Sequence, residues 1–376
     1  MTFRIQTLDG LVLSETAGIR RDTAVPPEYR DARFHQVFDA TTLFYDCVYL
    51  DHDRGYLFTG PVMSNLWPVL QAGLRLDGRP VSGLKLRHVQ RVDQAFLRAP
   101  KGGRLSFEGY GSDREIVVRP SLTPVFAGRD VLMTLSKDNP LDWIVEWARF
   151  YVRRHGATGL LFFDNMSTAY TAEDLLETVR SRTGLQAAAV IRVPYRYGDF
   201  FAAGDKVHRL MFLQPALLNL ARRDMAWKAR AALNVDIDEM IIGLPGAKGT
   251  LYDETARSLA GGVRFRGFWR YPARDGVVPC LQHDSTQAPV PDKVCNHKWC
   301  ARPRSLASRL GGWNVHAFGA GYMKWHRKRK IDSRRFELRH CMGTTTSWKP
   351  DSPRFAIPPE ITPDTEMAAE IAATLD

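Results

Sequence analysis

The alternation of apolar and polar positions changes character near residue 125. Before it, short apolar runs (Thr41 to Leu50, Gly55 to Thr59, Glu115 to Val118) are separated by Gly, Pro and Asp turns. That pattern predicts a mostly β segment. Only Met63 to Leu74 has a helical rhythm there. After Gly128 the pattern becomes strand, helix, strand, helix. Asp130 to Leu135 is an apolar run of the length of a buried parallel strand. Asn139-Pro140 then opens a helix on which Ile144, Trp147, Ala148, Tyr151 and Val152 recur at helical spacing, and Gly156 closes it. Leu160 to Phe163 predicts a second strand, Thr171 and Asp174 a capping box opening a helix over 172–182, and Ala187 to Val193 a third strand. A further helix is expected over roughly Asp205 to Ala229, interrupted at Pro215. Another strand leads into Asn234-Val235-Asp236-Ile237-Asp238-Glu239.

Repeated βα units predict an α/β fold with a doubly wound, mainly parallel sheet. The expected organisation is a β-rich N-terminal accessory domain (1–125), a catalytic domain (126–348) and a Pro-rich tail (349–376) with a short helix from Thr365 to Leu375, a tether or docking helix. Sheets of this kind bind ligands beyond the carboxyl ends of their strands. Lys137-Asp138, Asp164-Asn165, Pro194-Tyr195 and Asp236 to Asp238 are therefore expected on one rim.

A chain of 376 residues with 44% hydrophobic and 25% charged residues has room for a full core and is not of disordered composition. No apolar run approaches the roughly 20 residues of a membrane helix, and the first ten residues do not read as a secretory signal. The expected location is cytoplasmic, with peripheral contact at the inner face of an anionic membrane compatible with it. The formal charge of +11 favours an anionic partner. Five scattered cysteines in a large chain read mostly as reduced thiols.

The sharpest chemistry lies at Asp236 and Asp238. In extended chain the two project to one side and Ile237 to the other. Two carboxylates so placed suit a hard divalent ion, Mn²⁺ or Mg²⁺, with positions left for phosphate oxygens. An isolated Asp-x-Asp is weak, since it is usually a solvated turn. Here apolar runs flank it on both sides, which favours a partly buried site.

Three stretches carry a family resemblance. Asn234 to Met240 resembles the Asp-x-Asp-Glu-Phe signature of galactan-synthase-like and related family-2-like glycosyltransferases of the GT-A type. Asp138-Asn139, Glu146-Trp147, Gly156 and Phe163 to Thr168 resemble that group's opening pattern. Lys298 to Pro303, followed by Val315-His316, resembles its Lys-x-x-x-Arg-Pro segment and later histidine. The likeness covers roughly Val131 to Ala320. It departs at Ala169 and Tyr170, where the group continues with Asp, at Met240 in place of Phe, and in the Asp138-Asn139 order. The resemblance implies a GT-A-like catalytic domain moving a sugar from a nucleotide-diphosphate donor, a uridine one, to a glycan or lipid-linked glycan acceptor. Inversion at the anomeric carbon is part of that implication, while a role in bacterial surface polysaccharide synthesis is expected from the soluble, anchorless build. Asp164, with Asn165 and Asp138, would meet the nucleoside; Asp236, Asp238 and His316 would hold the metal; Lys298 and Arg302 would face diphosphate or acceptor. A packed histidine beside Trp313 and Phe318 is an equal reading of His316. The base that deprotonates the acceptor stays open among Glu239, Asp253, Glu254 and Asp284, with Asp284 preferred and Glu239 expected to face away from the two aspartates.

Two other readings compete. The basic run Lys324 to Lys330, continued by Arg334 and Arg335, would serve an anionic-surface or nucleic-acid binding protein, but no nucleic-acid reader motif accompanies it. A sheet kept only for binding would make the chain a catalytically inactive relative. Cys280, His283, Cys295, His297 and Cys300 have spacings imperfect for structural zinc, and that reading ranks below coincidence.

Overall fold

The computed structural model describes residues 2–273, 286–319, 331–342 and 356–375. The chain forms two compact units, one of residues 1–6, 123–192 and 226–376, the other of 7–122 and 193–225.

The first unit is mixed α/β around one eleven-stranded sheet. Its elements in chain order are β1 (Thr2–Thr7), β2 (Asp130–Ser136), α1 (Leu141–His155), β3 (Gly159–Asp164), α2 (Ala172–Arg182), β4 (Ala187–Arg192), β5 (Ala231–Asn234), β6 (Glu239–Gly243), α3 (Leu251–Arg257), β7 (Gly262–Pro272), β8 (Thr286–Pro289), β9 (Val294–Ala301), α4 (Leu306–Gly311), β10 (Phe336–Cys341), β11 (Ile361–Pro363) and α5 (Thr365–Leu375). The strand order is β1-β4-β3-β2-β5-β9-β7-β8-β11, with β10 pairing β6 and β7. The centre is parallel, β4-β3-β2-β5, because each of these strands is apolar on both faces and buried throughout or nearly so. Beyond β5 the sheet turns mixed: β9 runs antiparallel to β5 and β7, while β10 is parallel to β7 and antiparallel to β6.

Two local signals act as expected, while Asn139 does not cap α1: Pro140 stands at its N-cap and the Asn139 side chain donates to Ser136 Oγ at 2.7 Å. Thr171 and Asp174 form the capping box of α2, and Gly156 ends α1 with φ 71°. Ile144, Trp147, Ala148 and Tyr151 of α1 are buried against the sheet. Helix α5 buries Met367 and Ile371, one turn apart, against that core. Arg153 donates to the terminal carbonyls of Thr374 and Leu375, and Asp364 Oδ1 accepts the Met367 N–H at 2.9 Å, so both helix ends are satisfied.

One core group gives α1 a pH signature. His155 is fully buried, with Nε2 2.7 Å from the Ile241 carbonyl, and burial pushes its imidazole down to about 3. Unfolding lets this ring take a proton at any pH below the ordinary value near 6.5. Its contribution is therefore complete above pH 6.5 and is lost as pH falls, by about 1.4 kcal/mol per unit down to about 3. Urea unfolding at pH 7 and pH 5 should show a shallower acid loss for His155→Leu than for the parent chain. Equal losses would assign the acid sensitivity elsewhere.

The second unit carries small antiparallel sheets. One pairs residues 46–50, 55–61, 92–98 and 85–89 in that order; another pairs 114–115, 105–107, 74–76 and 79–80. Within the expected helix over 205–229 the chain instead makes a hairpin, Phe200–Ala203 with Lys206–Arg209, and then a helix from Leu213 to Arg223. Gly204 at φ 56° makes the tight turn, and Pro215 falls in the helix's first turn, where no hydrogen bond is lost. A buried Arg119 ties Asp46 (Nε to Oδ1, 2.9 Å) to Asp224 just beyond that helix (2.7 Å), so residues 193–225 fold with the β-rich segment. Tyr195 belongs to this unit, where its hydroxyl accepts the Gly10 N–H at 2.6 Å.

Among the described residues no helix is long and apolar enough to cross a membrane. Cys47, Cys295 and Cys300 are free. Cys341 is disulfide-bonded, an exception within the mostly reduced set, since widely spaced cysteines carry no pairing signal.

Candidate functional site

The expected extended Asp-x-Asp does not form. Strand β5 ends at Asn234, and residues 237–238 make a turn before β6. Glu239 N–H donates to the Asp236 carbonyl at 3.1 Å, and Asp236 N–H donates back to Glu239 Oε2 at 2.8 Å. A turn replaces strict alternation, so Glu239 does not face away from the aspartates: all three acids share two cations. Lys298 Nζ lies 2.6 Å from Asp236 Oδ2 and 3.1 Å from Glu239 Oε2. His340 places Nε2 3.1 Å from Asp238 Oδ2 and Nδ1 3.4 Å from Glu239 Oε1.

The sheet explains how these groups meet. Lys298 sits on β9 next to Trp299, which pairs with Asn234, so its side chain reaches the residues just past β5. His340 lies on β10 between its cross-strand partners Glu239 and Trp269, and its ring packs 4.4 Å from the Trp269 ring. Sequence reading missed His340, because only the β6–β10 register brings it in, Glu239 and His340 being 101 residues apart.

Burial grades the cluster. The Lys298 and Glu239 side chains are 0% and 1% exposed, and Asp236 and Asp238 are 34% and 19% exposed, so the aspartates form the open edge. Burial opposes the Lys298 charge, but Asp236 and Glu239 outweigh it and raise its pKa. Burial also opposes a charged Asp236, and Lys298 wins, holding that carboxyl below its usual range. For Glu239 burial dominates and pushes the carboxyl up to about 7, against the pull of Lys298. Burial disfavours charge on His340, yet Asp238 more than compensates and its pKa lies well above the ordinary histidine value.

His316 lies in the turn between the short strands Trp313–Asn314 and Ala317–Phe318. Its Nδ1 is 3.1 Å from the His297 carbonyl. Desolvation, then the Lys298 charge, pushes its ring down to about 4, although the residue keeps an exposed edge. The ring is thus neutral at ordinary pH; Nδ1–H donates to the carbonyl and the Nε2 lone pair remains as a donor to a metal.

The neighbouring strand ends contribute two more groups. Asp164, at the end of β3, is 6% exposed; burial raises its pKa against the pull of hydrogen bonds from Ser167, and its Oδ1 has no hydrogen-bond partner among the described residues. Such an orphaned acceptor costs about 1–3 kcal/mol unless a ligand fills it. Asn165 is buried beside it, its N–H donating to the Ser136 carbonyl at 2.9 Å. Asp138, at φ 53°, turns its carboxylate onto the loop after β3, where Oδ1 accepts Thr168 N–H at 2.6 Å and Ala169 N–H at 3.0 Å. These contacts outweigh burial and lower its pKa, so Asp138 shapes the Asp164 loop.

Arg302 is not brought to the acidic cluster. It follows β9, whose Ala301 pairs with Ala232 near the start of β5, about 13 Å along the strand from Lys298. Of the other base candidates, Asp253 pairs with Arg230 at 3.0 Å and Glu254 accepts from Ser333 at 2.9 Å. Asp284, and Cys280 and His283 of the zinc reading, lie outside the described residues, as does Lys324 to Lys330 of the basic run.

Among the described residues no group of three or more His, Cys, Asp or Glu is spaced to hold a metal. The donor chemistry nevertheless fits Mg²⁺ or Mn²⁺, which is commonly bound by one or two carboxylates plus substrate phosphate rather than by an all-protein cage. Asp238 and Asp236 supply the carboxylates, and His316 a neutral nitrogen nearby. Compared with protein-family models and with curated proteins, the chain matches none.

Proposed function

We propose that the first unit is a glycosyltransferase of the GT-A type, moving a sugar from a nucleotide-diphosphate donor, a uridine one, to a glycan or lipid-linked glycan acceptor. The observation that carries this reading is the placement of two acidic sites at the carboxyl ends of the two parallel strands that flank β2: Asp164 after β3, and the Asp236–Asp238 edge after β5. Crevices there take nucleotides in open α/β sheets. Asp164 Oδ1 accepts a nucleoside N–H or hydroxyl. Asp236 and Asp238 would hold a divalent cation, with its remaining positions taken by the donor's phosphate oxygens and water. When bound, that cation offsets the charge of the departing diphosphate.

The protein's own groups do the rest. Lys298 and His340 keep three neighbouring carboxyl groups together. Without them, mutual repulsion would open the turn. Glu239, almost fully buried between both cations, acts by positioning and has no path to an acceptor hydroxyl. The acceptor's base falls to a group outside this cluster, and Asp284 keeps that assignment by position in the sequence. Inversion, and a place in bacterial surface polysaccharide synthesis, complete the reading.

The test is donor binding and slow hydrolysis across uridine and guanosine sugar diphosphates, with and without Mn²⁺. Asp164→Ala should weaken donor binding roughly ten-fold or more while the chain stays folded at the assay temperature, as a thermal melt checks. If no donor binds under any metal condition, or Asp164→Ala binds donor as the parent does, the assignment fails.

A further inference from the structure

A second surface lies at the opposite end of the strands from the acidic rim, where β5 begins and β9 ends. There a cavity of about 670 Å³ is lined by Trp227, Leu259, Leu306 and the arginines Arg302, Arg304 and Arg309, with no carboxylate among the described residues of its lining. Arg302 Nη2 donates to the Ser258 carbonyl at 2.8 Å, but its Nε is buried without a hydrogen-bond partner. Arg304 and Arg309 are exposed. So are three leucines: Leu259 is fully exposed, and Leu306 and Leu310 are 71% and 51% exposed. Leu306 and Leu310 stand one turn apart on α4, so they share a face, and Leu306 and Leu259 line the same cavity.

This combination has a specific chemistry. Single exposed leucines need no explanation, but three grouped around one cation-lined cavity form an amphipathic patch. A soluble phosphate would meet the positive charge of the cavity and leave the leucines in water. An anionic phospholipid surface satisfies both, with the phosphate headgroup among the guanidinium groups and the leucines in the acyl boundary. We infer that the cavity and the leucines around it form a docking surface for an anionic phospholipid bilayer. The surface lies apart from the acidic cluster and does not depend on the catalytic reading. It also differs from the basic run 324–335.

The experiment is co-sedimentation of the full chain with vesicles of phosphatidylcholine alone and of phosphatidylcholine mixed with phosphatidylserine. Binding is expected to the mixed vesicles only, weakening as salt rises. Arg304→Gln and Arg309→Gln should each lower the partition coefficient about five-fold. Leu259→Ser combined with Leu306→Ser should lower it roughly ten-fold or more. Both leucines are exposed, and unchanged melting temperatures confirm that the variants fold. Equal binding to both vesicle types would overturn the inference, as would no binding to either. Binding that survives all four substitutions but is lost in Lys328→Gln with Arg329→Gln moves the contact to the basic run and also overturns it. Calorimetric titration with inorganic phosphate alone completes the set: tight binding indifferent to the leucine substitutions would make this a soluble-phosphate site and defeat the bilayer assignment.

Discussion

Asp238→Asn is expected to lower metal-dependent turnover of the nucleotide-sugar roughly 10²-fold or more while the protein stays folded. The side chain sits at the open edge of the cluster, 19% exposed, and its Oδ2 faces His340 at 3.1 Å. Asparagine keeps the shape and a hydrogen-bond acceptor but removes the charge a cation needs. The fold should survive, because Glu239 still faces His340 and no apolar packing is lost. Asn at this position should also let the His340 pKa fall, since Asp238 is its main raising influence. Steady-state kinetics with Mn²⁺, a thermal melt and the histidine titration by NMR check the three parts together. A variant that turns over donor at the parent rate would remove the turn from the chemistry. A variant that loses both activity and melting temperature would make Asp238 structural.

Lys298→Met should be the most destabilising single change in the cluster, by roughly 3–5 kcal/mol near pH 8. Methionine fills the volume and leaves Asp236, and above all the buried Glu239, without their shared cation. Glu239 already holds its proton up to about pH 7 in the intact protein. Without Lys298 its folded pKa rises further above the ordinary value near 4.5. The folded state then binds more protons than the unfolded one between those limits, so the variant's stability should fall as pH rises from about 4.5 through 7 and beyond. The destabilisation should therefore be smaller at pH 5.5 than at pH 8. Lys298→Met combined with Glu239→Gln should recover part of the loss, because one of the two stranded charges is gone. Chemical denaturation at the two pH values measures this directly. A pH-independent loss, or a double variant no better than the single one, would show that packing rather than charge sets the cost.

The chain's local signals were legible because they act over a few residues. A threonine three positions before an aspartate caps a helix whatever the rest of the protein does, and Thr171 with Asp174 does so. Uniformly apolar runs specify buried parallel strands, as in β2 and β3. The helix expected over 205–229 failed for a related reason: its apolar content suited a helix, but the Gly204 turn made a hairpin of the stretch before Leu213.

The candidate site divides along the same line. The sequence by itself determined that acidic groups would stand at strand ends on one rim, since strand direction and length place Asp164 and Asp236 to Asp238 there. It could not determine how those acids are neutralised. Lys298 lies 62 residues from Asp236 and His340 lies 102 from Asp238, and only strand pairing brings them within hydrogen-bond distance. Nor could it place Glu239 beside the aspartates, because the period-two rule holds in extended chain and residues 237–238 are a turn. The separation of Lys298 from Arg302 was likewise decided by tertiary structure. Four residues along one strand read as a single motif, yet they span the sheet from its acidic rim to its arginine-lined end, since an extended strand advances about 3.3 Å per residue.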